Sequence, residues 1–532
     1  MRKQFFYAAL AIALMSSCSK DKDPGTITEP ENPTPGVVDE DTPVAIELGI
    51  GNPSLVVTRG TGSVGDLEGD AKNLWNSQQL KVYMFPKNKI GTAYEATSPL
   101  ANLAFKAPAT GQSGKVIIAD GTVPYYPMQD AFDFYAYHMD TETGNANPAA
   151  VIGDGNFTVT GKIDGTNDVM AAIASVSPTN QATLLTKYYE KTTAKTFKVD
   201  ADGKTVVTDA GAALSDEEQV VLAKEIQKAF SSYAARRTIQ PSLTFQHLLT
   251  RLKFNVKAGE ASAAKDGYTT VDNQLPGHDF PDLSALTDEQ KTKLNNGEII
   301  DFAPTGTTNT DVDGAVYIQS INVLDQQDNV VLTFTPGTAP TFTDNAITAA
   351  ATLPTCTPVF SVSDPSVAFT LMGRAATGAD VTQPTSATDL VPTATEELAS
   401  ATPVGESMMI VPKQESFKIQ ILVMQYVITK EAIVGVGTAD SPEFPAEYKW
   451  KLSQMTSTVK APATMPDPAK GPSPIESTDK NEAGNFIFAA SKSYNINITV
   501  YSYQKIEIDA ILTGWIPGSD GEVNPGDDAF GE

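Results

Sequence analysis

The sequence predicts a mainly β chain whose short strands suit sandwich packing. Apolar and polar residues alternate in short runs, and Gly, Asn, Asp and Pro clusters separate those runs. Only one stretch carries helical spacing. The chain has 532 residues and 41% hydrophobic content. At roughly 100–200 residues per domain that means two or three domains with ample material for packed cores.

The first residues set an address. Arg2 and Lys3 precede an apolar run from Phe5 to Met15, and Ser16-Ser17-Cys18 closes it. Residues 1–17 read as a secretory signal, too short to span a bilayer. A Cys at the cleavage point makes it a lipoprotein signal, with Cys18 as the lipidated residue; the bland reading is an ordinary secretory signal with an incidental Cys. Residues 18–43 are Pro- and acid-rich with few large apolar groups, which reads as a flexible tether. At Val44 the period becomes two: Val44, Ile46, Leu48 and Ile50 alternate with smaller or polar residues, as in a half-buried strand. Ser54 to Thr58 continues that character up to Arg59.

Leu80 to Phe85 is the next strand, stopped by Pro86. Residues 115–119 form another and residues 131–138 a third, where Phe132, Phe134 and Ala136 alternate with Asp133, Tyr135 and Tyr137. Residues 179–240 break the rhythm. Two runs flanking Asp202-Gly203 look like a hairpin. Ser215 and Glu218 then form a capping box, and Leu222, Ile226, Phe230 and Tyr233 extend one amphipathic helix to about Arg237. It is an insertion or a packing element against a sheet. β character returns at Ser242 and dominates to Trp515, most clearly at Leu252/Phe254/Val256, Phe417/Ile419/Ile421/Val423 and Tyr494/Ile496/Ile498/Val500. Residues 376–403 and 456–481 lack periodicity and read as long loops.

Chemical motifs are sparse. Gly60-Thr61-Gly62-Ser63-Val64-Gly65 matches G-x-G-x-x-G, but acidic residues follow where an apolar helix face is needed, so it reads as a Gly/Ser linker. Asp200 to Gly203 and Asp311 to Gly314 lack the later ligands of a calcium loop and read as turns. His138, His247 and His278 are scattered, which disfavours a zinc site, and His247 reads as a hydrogen-bonded structural residue. No catalytic residue, cofactor-binding residue or metal ligand is assigned, and no cofactor is expected. A net charge of −26 argues against nucleic acid and anionic lipid heads as partners. Cys18 and Cys356 are the two cysteines. With Cys18 acylated, Cys356 is a free, buried or half-buried thiol. Arg59 faces a Gly/Ser-rich stretch, so a trypsin-like protease could cut Arg59-Gly60, although composition alone favours an ordinary exposed Arg.

Several segments together resemble the fimbrillin family, which builds type V pili in Bacteroidales. Val123-Pro124-Tyr125-Tyr126-Pro127 with residues 131–137 looks like its "YYP … F-x-A-Y" core, and Asn167 to Ala171 resembles "D-L-M-Y-A". Leu243 to Leu252 resembles "L-x-F-x-H-x-L-S-K-L", while Met408 to Gln414 and Gly514-Trp515 fit later strands. Together with the lipoprotein signal these span nearly the whole chain.

The resemblance implies two transthyretin-like β-sandwich domains in tandem, at 44–178 and 241–515, joined through 179–240 and followed by an acidic tail at 516–532. It implies an adhesive pilin at the outer membrane surface, anchored through lipid on Cys18 before processing. Cleavage after Arg59 would remove the first strand, 44–59, and other pilin subunits would then add a strand in its place. The tail carries Asp520, Glu522, Asp527, Asp528 and Glu532, no basic residue, and breaks at Pro517-Gly518 and Pro525-Gly526. It makes a poor donor strand, which points to a tip or accessory position. The rival expectation is a permanently anchored surface lipoprotein that binds glycan or protein.

Overall fold

The computed structural model describes residues 43–50, 79–91, 103–106, 114–115, 117–118, 124–127, 130–139, 149–174, 176, 182–186, 197–199, 205–207, 215–236, 239–258, 285–302, 316–339, 341–343, 346–348, 353–363, 367–371, 402–430, 433, 447–467, 471–502 and 505–513. The fold is mainly β, with several antiparallel sheets in packed layers.

A six-stranded sheet organises the first part. Its strands run in the order Gln246–His247, Val169–Ile173, Phe132–Met139, Gln79–Pro86, Leu103–Lys106 and Ile117–Ile118, all pairs antiparallel. Period-two alternation sorts its side chains between two separate cores. Tyr83, Phe85, Tyr135, Tyr137 and Met139 face one; Leu80, Val82, Met84, Phe132, Phe134 and Ala136 face the other. Phe132–Met139 is therefore buried at every position. Asp133 is tolerated there because the Lys87 ammonium lies 2.6 Å from its carboxylate and the Asn88 amide donates to it at 2.7 Å.

The layers do not follow chain order. The sheet opposite the tyrosine face runs Thr355–Ser361, Asn329–Thr335, Phe157–Lys162 and Val151–Ile152, with Phe157 stacked on Phe334 at 4.4 Å. Tyr135 meets the Phe334 ring edge-on at 6.0 Å. That core continues into a second pair of sheets. One runs Thr402–Ile410, Thr250–Ala258, Ser493–Ser502 and Lys505–Thr513; the other runs Ile300–Phe302, Glu447–Lys460, Ser416–Lys430, Val316–Leu324 and Phe369–Thr370. The three alternating runs read from sequence in this region supply its buried side chains.

Four expectations need correction. The helix does not run to Arg237. Its capping box forms as predicted, with the Glu218 amide donating to Ser215 Oγ at 3.2 Å and the Ser215 amide to the Glu218 carboxylate at 2.8 Å. It nevertheless stops at Gln227, and a second short helix, Ser232–Ala235, starts from a new N-cap at Ser231. The chain breaks there because the Phe132 amide takes the Phe230 carbonyl at 2.9 Å and Ser231 bridges Ala131, edge pairing that helical backbone cannot make. A further helix, Asp288–Asn295, lies within the stretch read as β, opened by a Thr287/Gln290 capping box. Residues 456–481 are not a structureless loop: 456–460 complete Glu447–Lys460, and Thr464–Asp467 pairs with Gly471–Glu476. Exposed Thr456, Ser457 and Thr458 hid the end of Glu447–Lys460, because three polar residues in succession show no apolar alternation. Finally, the described residues of the run read at 115–119 belong to two short strands in different sheets, Gly114–Lys115 and Ile117–Ile118.

Candidate functional site

The second face of the six-stranded sheet is the site, because residues 44–50 cover it. Ile46 and Leu48 are 5% and 1% exposed and share a core with Leu80, Val82, Met84, Phe132, Phe134 and Met170. Each such side chain contributes roughly 1.5–3 kcal/mol by leaving water. The predicted alternation is thus real, although only Gly49–Ile50 is a regular strand.

Main-chain bonds fasten the segment at both ends. The Tyr126 amide donates to the Val44 carbonyl at 2.9 Å, and the Ile46 amide to the Pro124 carbonyl at 2.8 Å, around an antiparallel bridge between Ala45 and Tyr125. Further along, the Gly49 amide donates to the Pro241 carbonyl at 2.9 Å. Gly49–Ile50 then lies between two strands, parallel to Ser242–Leu243 and antiparallel to Gly114–Lys115. Taking the segment away would leave backbone groups on both sides unpaired and an apolar face open between them.

The walls of the groove come from distant parts of the chain. Phe230, delivered by the helix break, meets the Phe134 ring edge-on at 5.8 Å. Lys87 spans from Asp133 to the Phe230 face, its ammonium 5.1 Å from the ring centroid. Tyr126 lies beneath the segment with its ring 6.3 Å from Phe134 and 6.5 Å from Phe132. Sequence reading singled out the Pro124-Tyr125-Tyr126 motif but not its role, because nothing local shows that its carbonyl and amide grip residues 44–46.

Two other motif elements meet as well. His247 Nδ1 lies 2.6 Å from Asp168 Oδ2, with both side chains fully buried. The pair joins the edge strand Gln246–His247 to the neighbouring Val169–Ile173, so His247 has the structural role expected of it. His138 is buried in its strand, well apart in sequence. Among the described residues no three His, Cys, Asp or Glu side chains converge as a metal site. Cys356 is a free, half-buried thiol in Thr355–Ser361, and burial pushes its pKa up to about 12. Cys18, Arg59, Gly60, the glycine-rich motif at 60–65, both candidate calcium turns, His278, Gly514-Trp515 and the acidic tail lie outside the described residues.

No family model and no curated protein matches the chain. Among solved structures it is similar to a candidate cell adhesion protein of Bacteroides uniformis, at 12% identity over 89% of this chain and 98% of that one, with a TM-score of 0.31. It is similar also to the tip fimbrial protein Mfa3 of Porphyromonas gingivalis, at 9% identity over 89% of this chain and 100% of that one, with a TM-score of 0.25. The fimbrial anchor protein Mfa2 of the same organism gives 8% identity over 90% and 100%, with a TM-score of 0.23.

Proposed function

We propose that this chain is a structural and adhesive subunit of a surface fimbria. It is exported as a lipoprotein on Cys18, cut between Arg59 and Gly60, and assembled when a strand from another subunit replaces residues 44–50. The observation that supports this most is the seating of Ile46 and Leu48 over a closed apolar face, between strands that pair with Gly49–Ile50 on both sides. A segment placed in that way is a plug: its loss exposes a slot shaped for another extended chain. Proteolysis then serves as the trigger for association, and no catalytic residue or cofactor is required. The acidic, Pro/Gly-broken tail supports a tip or accessory position, accepting a strand without offering a good one.

N-terminal sequencing of the protein recovered from cell surfaces tests the reading. A start at Gly60 is expected. A mature chain that still begins at an acylated Cys18 would overturn it in favour of a permanently anchored binding protein.

A further inference from the structure

The groove contains a polar group that its present occupant does not serve. Tyr126 is 4% exposed under the leading segment, and its hydroxyl has no hydrogen-bond partner among the described residues. A hydroxyl buried in that state has given up its hydration with nothing in return. Burial, and after it the nearby Glu47 carboxylate, push the phenol pKa well above its usual value. The group therefore remains an O–H donor at neutral pH.

The register explains why nothing accepts from it. The Ala45–Tyr125 bridge sets Val44 directly opposite Tyr126, and side chains two apart share a face, so Val44, Ile46 and Leu48 are those turned to the groove. All three are hydrocarbon. The leading segment fills the slot by shape and apolar area while leaving the Tyr126 hydroxyl without an acceptor among the described residues.

We infer that Tyr126 is the specificity-determining residue of this groove, selecting an incoming extended strand that carries one side-chain acceptor, a hydroxyl or amide oxygen, among its alternate apolar residues. This rests on the strand-replacement reading above and specifies the chemistry of the replacing strand. Such an occupant satisfies a group that the leading segment cannot, which biases exchange toward it. A purely hydrocarbon strand competes only on equal terms with the segment already present.

The test uses the Arg59-cleaved protein and fluorescent peptides covering residues 43–50, read by anisotropy. Peptides with Val or Thr at position 44, 46 or 48 are compared as isosteric pairs, in the wild-type protein and in Tyr126→Phe. At one of the three positions the Thr-over-Val affinity ratio should be roughly tenfold higher with Tyr126 than with Phe, equivalent to about 1.4 kcal/mol of coupling. Equal ratios at all three positions, while the native-sequence peptide binds, would overturn the inference and leave strand replacement standing. If no peptide binds, including the native one, strand replacement itself fails and the inference with it. In the intact chain Tyr126→Phe should raise the thermal midpoint. A lowered midpoint would mean that the hydroxyl is already satisfied, which overturns the inference independently.

Discussion

Replacing Leu48 by Ala probes how the leading segment is held. Leu48 is 1% exposed in the groove core. Truncation of a buried Leu to Ala costs about 2–5 kcal/mol, depending on how far the site collapses. If residues 44–50 are a separable plug, that cost falls on the seating of this segment and not on the sheets beneath it. Taking about 2–3 kcal/mol, the released state becomes roughly 30- to 150-fold more populated. Hydrogen exchange read by mass spectrometry reports this directly, because released backbone exchanges while seated backbone does not. The amides of Ile46 and Gly49, which donate to the Pro124 and Pro241 carbonyls, should exchange faster by that factor. Amides of Tyr83 and Tyr135 in the central sheet should keep their wild-type rates. Equal acceleration throughout the chain, or none at Ile46 and Gly49, would refute the reasoning that the segment opens independently.

Three further outcomes follow from the packing. A Cβ at Gly161 would fall 1.8 Å from the Met139 sulfur, so Gly161→Ala should lower stability in chemical denaturation by about 1–3 kcal/mol, and the double variant with Met139→Ala should lose less than the sum of the two single losses. His247→Ala strips the imidazole from a fully buried Asp168 and should cost about 3–5 kcal/mol in the same assay, with His247→Gln costing less. The Cys356 thiol, raised by burial from 9.0 to about 12, should resist thiol reagents at pH 8 until the chain is denatured. Because the folded value is the higher one, its contribution to stability is whole below pH 9 and is lost as pH rises toward 12. A pH titration of the unfolding midpoint of a Cys356→Ala variant should therefore fall less steeply across that window than wild type.

Much of the fold was legible wherever one face of a strand meets water or one core. The runs at 252–256, 417–423 and 494–500 alternate because burial alternates. Phe132–Met139 was harder, since both of its faces are buried and Asp133 looks like a solvent residue until Lys87 and Asn88 are placed beside it. The helix stop at Gln227 was not legible: Phe230 and Tyr233 keep helical spacing, and only the distant backbone of 131–132 claims residues 230–231. The Thr287/Gln290 capping box was visible in principle but preceded a helix with a single buried residue, Leu294, and so carried no apolar stripe. For the site, the period-two pattern at Val44 to Ile50 marked a half-buried segment, while its removability came only from the family resemblance. The groove's walls at Phe230, Tyr126 and Leu243, and the Asp168–His247 pair, join residues far apart in sequence and had no local signal.

The most direct test is native mass spectrometry of the protein after cleavage at Arg59. If the leading segment is a plug, the body left after cleavage stays folded, releases the fragment, and takes up one added peptide of residues 43–50 per chain. A body that unfolds on cleavage, or one that stays folded but binds no such peptide, would contradict the account.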